Sequence, residues 1–311
     1  MSVSCDCKAA PRVYDYGNSE VDYDVDARTK IRAQEYLNDN TIDYFDLPYC
    51  QSIGEEAFKN SSLEEISAPE CKEIGGSAFY GCENLANVYL PNVSVVPTSA
   101  FYAAKVPEGN NYWDFSSVEK IQANAFRNLE VGSTANLSIE FSSVREIGSS
   151  AFAMTNRWPR NGQSTELILP NCTKIEAEAF KGSWDSHGEW QKQFSLISLP
   201  RIETIGNGAF SVLGEVNNNI EIHFGPYCTT IGEMIFDDWG CEHAKLYVHA
   251  INPPTLQGYL VSIFDYDVPS QLRPPRIYVP AQSVNAYKTA NKWSAYASRI
   301  EAMPEGTVIP T

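Results

Sequence analysis

The chain has 311 residues, 43% of them hydrophobic, and carries 23 Lys plus Arg against 39 Asp plus Glu, a net charge of −16. The apolar share supplies a sizeable core. The acidity argues against nucleic-acid backbones, whose binding runs on counterion release by Lys and Arg, and against docking on anionic lipid; no apolar run is long enough for a membrane-spanning helix.

In chain order, the first residues, Met1 to Cys7, lack the apolar stretch of an intact signal peptide. Asp22, Asp24 and Asp26 begin like a calcium loop, but Ala27 stands where that loop needs Gly and Ala33 where it needs Glu, so no metal is expected there. Residues 28–38 read as a cap anchored by Ile31, Tyr36 and Leu37, which makes 1–40 an N-terminal segment and cap.

From residue 41 to residue 250 one hexapeptide recurs. It opens as Ile53-Gly-Glu-Glu-Ala-Phe58 and Ile74-Gly-Gly-Ser-Ala-Phe79, and its other copies end at Phe101, Phe126, Phe152, Phe180, Phe210 and Phe236. Before each copy stands a triplet with apolar ends closed by Pro, Ser or Gly, such as Val88-Tyr-Leu-Pro91 or Ile197-Ser-Leu-Pro200. Apolar–polar–apolar is the period of a half-buried strand, and Pro ends it because Pro cannot donate to a ladder. One such unit cannot bury its own apolar face, so neighbours must stack. At about 4.8 Å per strand, eight or nine coils give a rod on the order of 40 Å long.

The pattern of strand, Pro, Ile-Gly and Ala-Phe, at its fullest between Leu63 and Leu85 with Ala78, Phe79 and Cys82, resembles the BspA-type leucine-rich repeat. The resemblance implies a leucine-rich-repeat solenoid: mainly β, short parallel strands forming one sheet, irregular or helical returns, and a C-terminal cap over 251–311. The cap is read as a final strand at Ile277-Tyr-Val-Pro280 and a helix over 283–300 with Tyr287, Trp293, Tyr296 and Ile300 on one face.

Cys50, Cys71, Cys172 and Cys228 share a repeat slot with Val93, Val118, Val144 and Ile202, which marks a small buried apolar site and predicts core thiols rather than disulfides. Cys82 and Cys241 suggest a second such slot, and Cys5 and Cys7 have no assignment. No Cys-x-x-Cys pair, phosphate loop, nucleophile elbow or metalloprotease motif occurs, and no pair of carboxylates is singled out by spacing. Neither an enzyme nor a cofactor is expected.

Phe-to-Phe distances grow from 21 to as much as 30 residues, and the extra residues fall between Phe and the next strand. Insertions at one repeat position emerge on one face, often the binding face. The two longest carry Trp158, and Trp184, His187 and Trp190. These rings either meet a ligand or fold back onto their own loops; as a binding site they suit a sugar or peptide face. The alternative is the outward side of the sheet, one residue per coil: Asp46, Ser67, Tyr89, Asp114, Glu140, Ile168, Ser198 and His223. Of these Tyr89, Asp114, Glu140 and His223 are the candidates for contact. The resemblance implies an extracellular or cell-surface, adhesin-like protein that binds a protein or glycan; a structural part of a larger assembly, in a phage or cell envelope, is the other reading.

Overall fold

In the first coils a strand that buries one side chain alternates with a turn that buries two; later strands bury up to four, and the alternation generates the architecture. The computed structural model describes residues 28–132, 135–155, 165–182, 194–211, 220–236, 244–261 and 275–311. In the first layer, strands Tyr44–Asp46, Glu65–Ser67, Asn87–Tyr89, Asn110–Asp114 and Asn136–Glu140 form one parallel sheet. Strands Thr165–Ile168, Phe194–Leu199, Glu221–Phe224, Lys245–Val248, Arg276–Val279 and Ile300–Ala302 form a second. The expected single sheet is therefore two, of five and six strands. The break falls where the first long insertion enters its strand, and the register shifts there between Thr165 and Glu166.

The Ile of the hexapeptide builds another ladder, which periodicity did not reveal because each of its strands is two residues long. Ile53 pairs with Ile74, and Ile121, Ile147, Ile175, Ile205 and Ile231 follow one another in parallel register. Ile31 pairs with Ile53 and Leu256 with Ile231, so among the described residues the same pairing is found from Ile31 to Leu256. Gly follows Ile where coils approach most closely. A Cβ on Gly75 would lie 2.3 Å from the Glu55 backbone nitrogen, closer than atoms can pack.

Within the hexapeptide the chain turns through the left-handed region one residue before Ala, at Glu56, Ser77, Ser99, Asn124, Ser150, Glu178 and Gly208, and before Ile235 at Met234. Seven of these eight side chains are not Gly, although αL backbone costs an L-residue about 1–2 kcal/mol. The turn is held from outside: the Phe58 N–H donates to Ala78 C=O (2.8 Å), Phe79 to Ala100 (2.8 Å) and Phe126 to Ala151 (2.7 Å). Each coil thus fixes the backbone of the one before it. The Phe rings follow, stacked from Tyr36 through Phe58, Phe79, Phe101, Phe126, Phe152 and Phe180 to Phe210 at centroid separations of 4.9–5.4 Å. All of these rings, and Phe236, are buried. Tyr36 takes the Phe position of the first described turn.

The shared cysteine slot is buried as expected: Cys50, Cys71, Cys172 and Cys228 are free thiols in the core, and so is Cys82. Cys5, Cys7 and Cys241 lie outside the described residues.

The C-terminal cap is more broken than the periodicity predicts. The helix is short, Val284–Thr289, and ends where Ala290 turns extended (ψ 152°); a 3-10 helix covers Trp293–Arg299, and Lys292 at its start takes φ 63°. Ile300 then begins a strand instead of ending a helix. The four predicted anchors are nevertheless buried. Three of them also satisfy backbone groups of the last coil: Tyr287 OH donates to Ala250 C=O (2.7 Å), Trp293 Nε1 to Pro254 C=O (2.7 Å), and Tyr296 OH accepts from Leu260 N–H (2.8 Å).

Candidate recognition surface

Trp158, Trp184, His187 and Trp190 lie outside the described residues, so the surface that can be built from side chains is the outward row of the first layer. Strand alternation puts one residue of each triplet there. Asp46 and Tyr89 are exposed, Ser67 is half-buried, and Tyr89 keeps 41% of its surface. Asp114 is not available in the same way. It is 8% exposed, and its carboxylate accepts the Ser116 N–H at 2.9 Å, so it closes the turn after its own strand. Glu140 is opposite Asp114 in the ladder.

The row changes character at its far end. Register carries it from Ile168 to Ser198, His223, Tyr247, Tyr278 and Glu301. Tyr247 and Tyr278 extend the sequence-derived row by two coils. They were missed because the motif beside Lys245–Val248 reads Leu256-Gln-Gly-Tyr-Leu-Val261, without Ala-Phe. The signal was present in the matching outward Tyr of Lys245–Val248 and Arg276–Val279. Here the outward residues are covered: Ser198 is 0%, His223 3% and Tyr247 7% exposed. This corrects the reading of His223 as a free outward side chain.

Residues 303–311 are tied to this stretch of the sheet at two points. The Met303 N–H donates to Val279 C=O (2.8 Å) at the edge of the sheet, and Ser198 Oγ donates to Pro310 C=O on the fifth strand counted inward from that edge. Between these anchors the segment turns at Pro304–Thr307, where Gly306 takes φ 80° and the Thr307 N–H returns to Pro304 C=O, as a type II turn requires. Four strand spacings are about 19 Å. The segment, with its turn, reaches about 21 Å. It therefore crosses Tyr278, Tyr247 and His223 on its way to Ser198.

Under it the rings form a column. His223 stacks on Tyr247 at 4.4 Å and Tyr247 on Tyr278 at 5.0 Å. His223 Nδ1 is 3.2 Å from His249 Nε2, one donating and one accepting according to tautomer. His223 Nε2 is buried without a hydrogen-bond partner among the described residues; the Glu221 carboxylate, engaged with Lys245 at 2.9 Å, is 4.0 Å away. Burial holds His223 below its usual pKa against the pull of Glu221, and burial with the neighbouring His223 brings His249 down to about 4. Both imidazoles are neutral at physiological pH.

A second aromatic pair lies on the turn face, where Tyr80 stacks on Tyr102 at 5.0 Å and Lys59 Nζ sits 5.1 Å over the Tyr80 ring. Both tyrosines are half-buried. Among the described residues no group of three or more His, Cys, Asp or Glu is placed to hold a metal ion, and no helix is long and apolar enough to cross a membrane.

The repeat geometry has a counterpart in known families: the sequence profile of the BspA type leucine-rich repeat region matches residues 29–158 in six copies. Residues 29–158 are a BspA-type leucine-rich repeat region. Beyond the matched part the two-residue strands go on pairing as far as Leu256, and the stacked rings run on to Phe210. Among curated proteins none matches the chain. Solved structures similar to it include the pneumococcal vaccine antigen PcpA (17% identity, TM-score 0.40, covering 88% of this chain and 75% of that one). Another is a leucine-rich repeat protein from Bacteroides ovatus (15%, TM-score 0.36, covering 89% and 76%). A third is a leucine rich cell surface protein from Faecalibacterium prausnitzii (15%, TM-score 0.35, covering 89% and 84%).

Proposed function

We propose that the chain is a non-enzymatic recognition protein of the surface or secreted, adhesin-like kind, which binds a host or cell-surface protein or glycan. BspA-type repeats are a binding scaffold, and the observation that carries the reading is the outward row itself. It sets polar and aromatic side chains, Tyr89 among them, one per coil on strands that cannot shift without breaking the Phe stack behind them. Sites on regular elements hold their geometry better than sites on loops. The insertions carrying Trp158, Trp184, His187 and Trp190 are proposed to add a second contact surface, since two of them leave consecutive coils at the same repeat position.

An array of glycans and extracellular-matrix proteins tests the reading, followed on any hit by Trp184→Ala, Trp190→Ala and Tyr89→Ala. Trp and Tyr are enriched in binding hot spots, where truncation costs about 2 kcal/mol or more, some thirtyfold in Kd. Loss in the Trp variants places contact on the insertions, and loss in Tyr89→Ala places it on the sheet. Specific capture unaffected by all three substitutions refutes both surfaces, and absence of any specific binder refutes the recognition reading.

A further inference from the structure

We infer that the covered stretch of sheet, Ser198, His223, Tyr247 and Tyr278, is a docking face for an extended polypeptide segment of a partner protein, and that residues 303–311 occupy it in cis. The inference rests on the recognition reading and narrows it to one face and one chemistry. Three observations carry it.

The first is burial along a single row. Equivalent positions near the other end are open, Tyr89 at 41%, whereas Ser198 and His223 are buried and Ser198 is bonded to a segment that belongs to no coil. The second is how that segment is held. It runs across the strands, its ends are tied by Met303 to Val279 and by Ser198 to Pro310, and its middle stands proud, with Val308 76% exposed. Only one of those ties uses a side chain of the face, and that side chain reads a backbone carbonyl, which every polypeptide offers. The third is an imperfection in the fit. His223 Nε2 is buried with no partner among the described residues, and a buried polar atom left unmade costs about 1–3 kcal/mol. A segment evolved only to seal the sheet would not leave that group orphaned, whereas a segment that must be exchanged for a better-fitting one can.

The chemistry of the occupant follows from the face. The stacked rings of His223, Tyr247 and Tyr278 suit aliphatic and proline side chains, the kind the crossing segment carries at Val308, Ile309 and Pro310. The flanking Glu221 and Lys245 neutralise one another at 2.9 Å, so the face has no call for a charged ligand. The partner segment is therefore extended, uncharged and rich in aliphatic residues and proline, with a hydrogen-bonding group where it passes His223.

The test uses a fluorescent peptide of sequence Met303 to Thr311 and two proteins. In the first the chain stops after Ala302; in the second, full-length, Ser198→Cys and Pro310→Cys allow the segment to be pinned by oxidation and freed by reduction. The truncated protein is expected to bind the peptide at least tenfold tighter than the full chain, and to lose it on Tyr247→Ala. The pinned protein is expected not to bind until reduced, a comparison within one folded molecule that decides the matter even if truncation unfolds the protein. Absence of peptide binding in both the truncated and the reduced protein overturns the inference, as does binding that oxidation leaves unchanged. Glycan capture by the freed face without peptide binding also overturns it. Ligand capture at the Trp-bearing insertions, indifferent to pinning, would leave the recognition reading standing while this inference falls.

Discussion

Phe126→Ala measures whether the ring stack holds the solenoid together. Phe126 is fully buried, lies face to face with Phe101 at 5.2 Å and Phe152 at 5.0 Å, and is touched edge-on by Phe115 and Phe141 at 5.9 Å. Phe to Ala in a core costs about 3–5 kcal/mol, rising with the cavity that remains. This cavity cannot collapse easily, because its walls are rings fixed by stacking on their own neighbours and a backbone hydrogen-bonded coil to coil. The expected loss is therefore about 4–5 kcal/mol, near the top of the range. In urea, with an m-value of about 3 kcal/mol/M, it lowers the midpoint by roughly 1.5 M, read from one cooperative transition with unchanged slope. Tyr36→Ala, which removes a ring with one stacked Phe neighbour in the column, costs less. A shift below roughly 0.5 M for Phe126→Ala, at constant slope, would refute the reasoning: the coils would then be held by their ladders and not by the rings.

Gly75→Ala and Gly76→Ala form a pair one residue apart. The first places a Cβ 2.3 Å from a backbone nitrogen and should destabilise by about 1–3 kcal/mol, whereas the second finds its nearest atom at 3.5 Å and should be neutral or slightly stabilising; equal thermal shifts would contradict the close approach. For the histidine pair, both folded-state values lie below the ordinary 6.5, so the unfolded chain binds more protons as pH falls. Stability from this site is complete above about 6.5 and is lost as pH drops toward about 4. His249→Gln should accordingly lose less melting temperature than the parent between pH 7.5 and 4.5, against an unchanged background of Glu221, Lys245, Tyr247 and Tyr278, and identical losses would remove the histidines from the account. Burial pushes the Cys82, Cys172 and Cys228 thiols up to about 12. At pH 8 about one in 10⁴ of each would be thiolate, so mass spectrometry after iodoacetamide treatment should find these three unmodified in the folded protein and modified in denaturant. Reductant should leave the melting temperature unchanged.

The repeat was legible because burial at fixed intervals leaves a fixed residue type: Phe58, Phe79 and Phe101 stand where a ring must stack, and Cys50 and Cys71 where only a small apolar group fits. The Ile ladder and the left-handed turns were not legible. A two-residue strand has no period, and the turn takes Glu, Ser, Asn or Met because the next coil, not the residue itself, holds the backbone there. The cap was half legible: Tyr287, Trp293 and Tyr296 announce burial, but nothing in their spacing reveals that the chain turns extended at Ala290 between them. The covered face was illegible for a different reason. Nothing in the spacing of Met303 to Thr311 marks it for contact with the sheet, and its bond to Ser198 joins residues 112 positions apart.

That contact also sets a counting rule. Every added coil lengthens a solenoid by about 4.8 Å and is cheap, since a coil answers only to its neighbours. Between Phe194–Leu199 and Ile300–Ala302, however, the crossing segment acts as a ruler laid over five strands. One more coil would stretch the required span from about 19 to about 24 Å, beyond the roughly 21 Å that the segment and its turn reach, and would detach it. Growth and shrinkage by repeat duplication are thus open to the stretch from Tyr44 to Glu140, while the last five strands are locked in number as long as Pro310 is to meet Ser198.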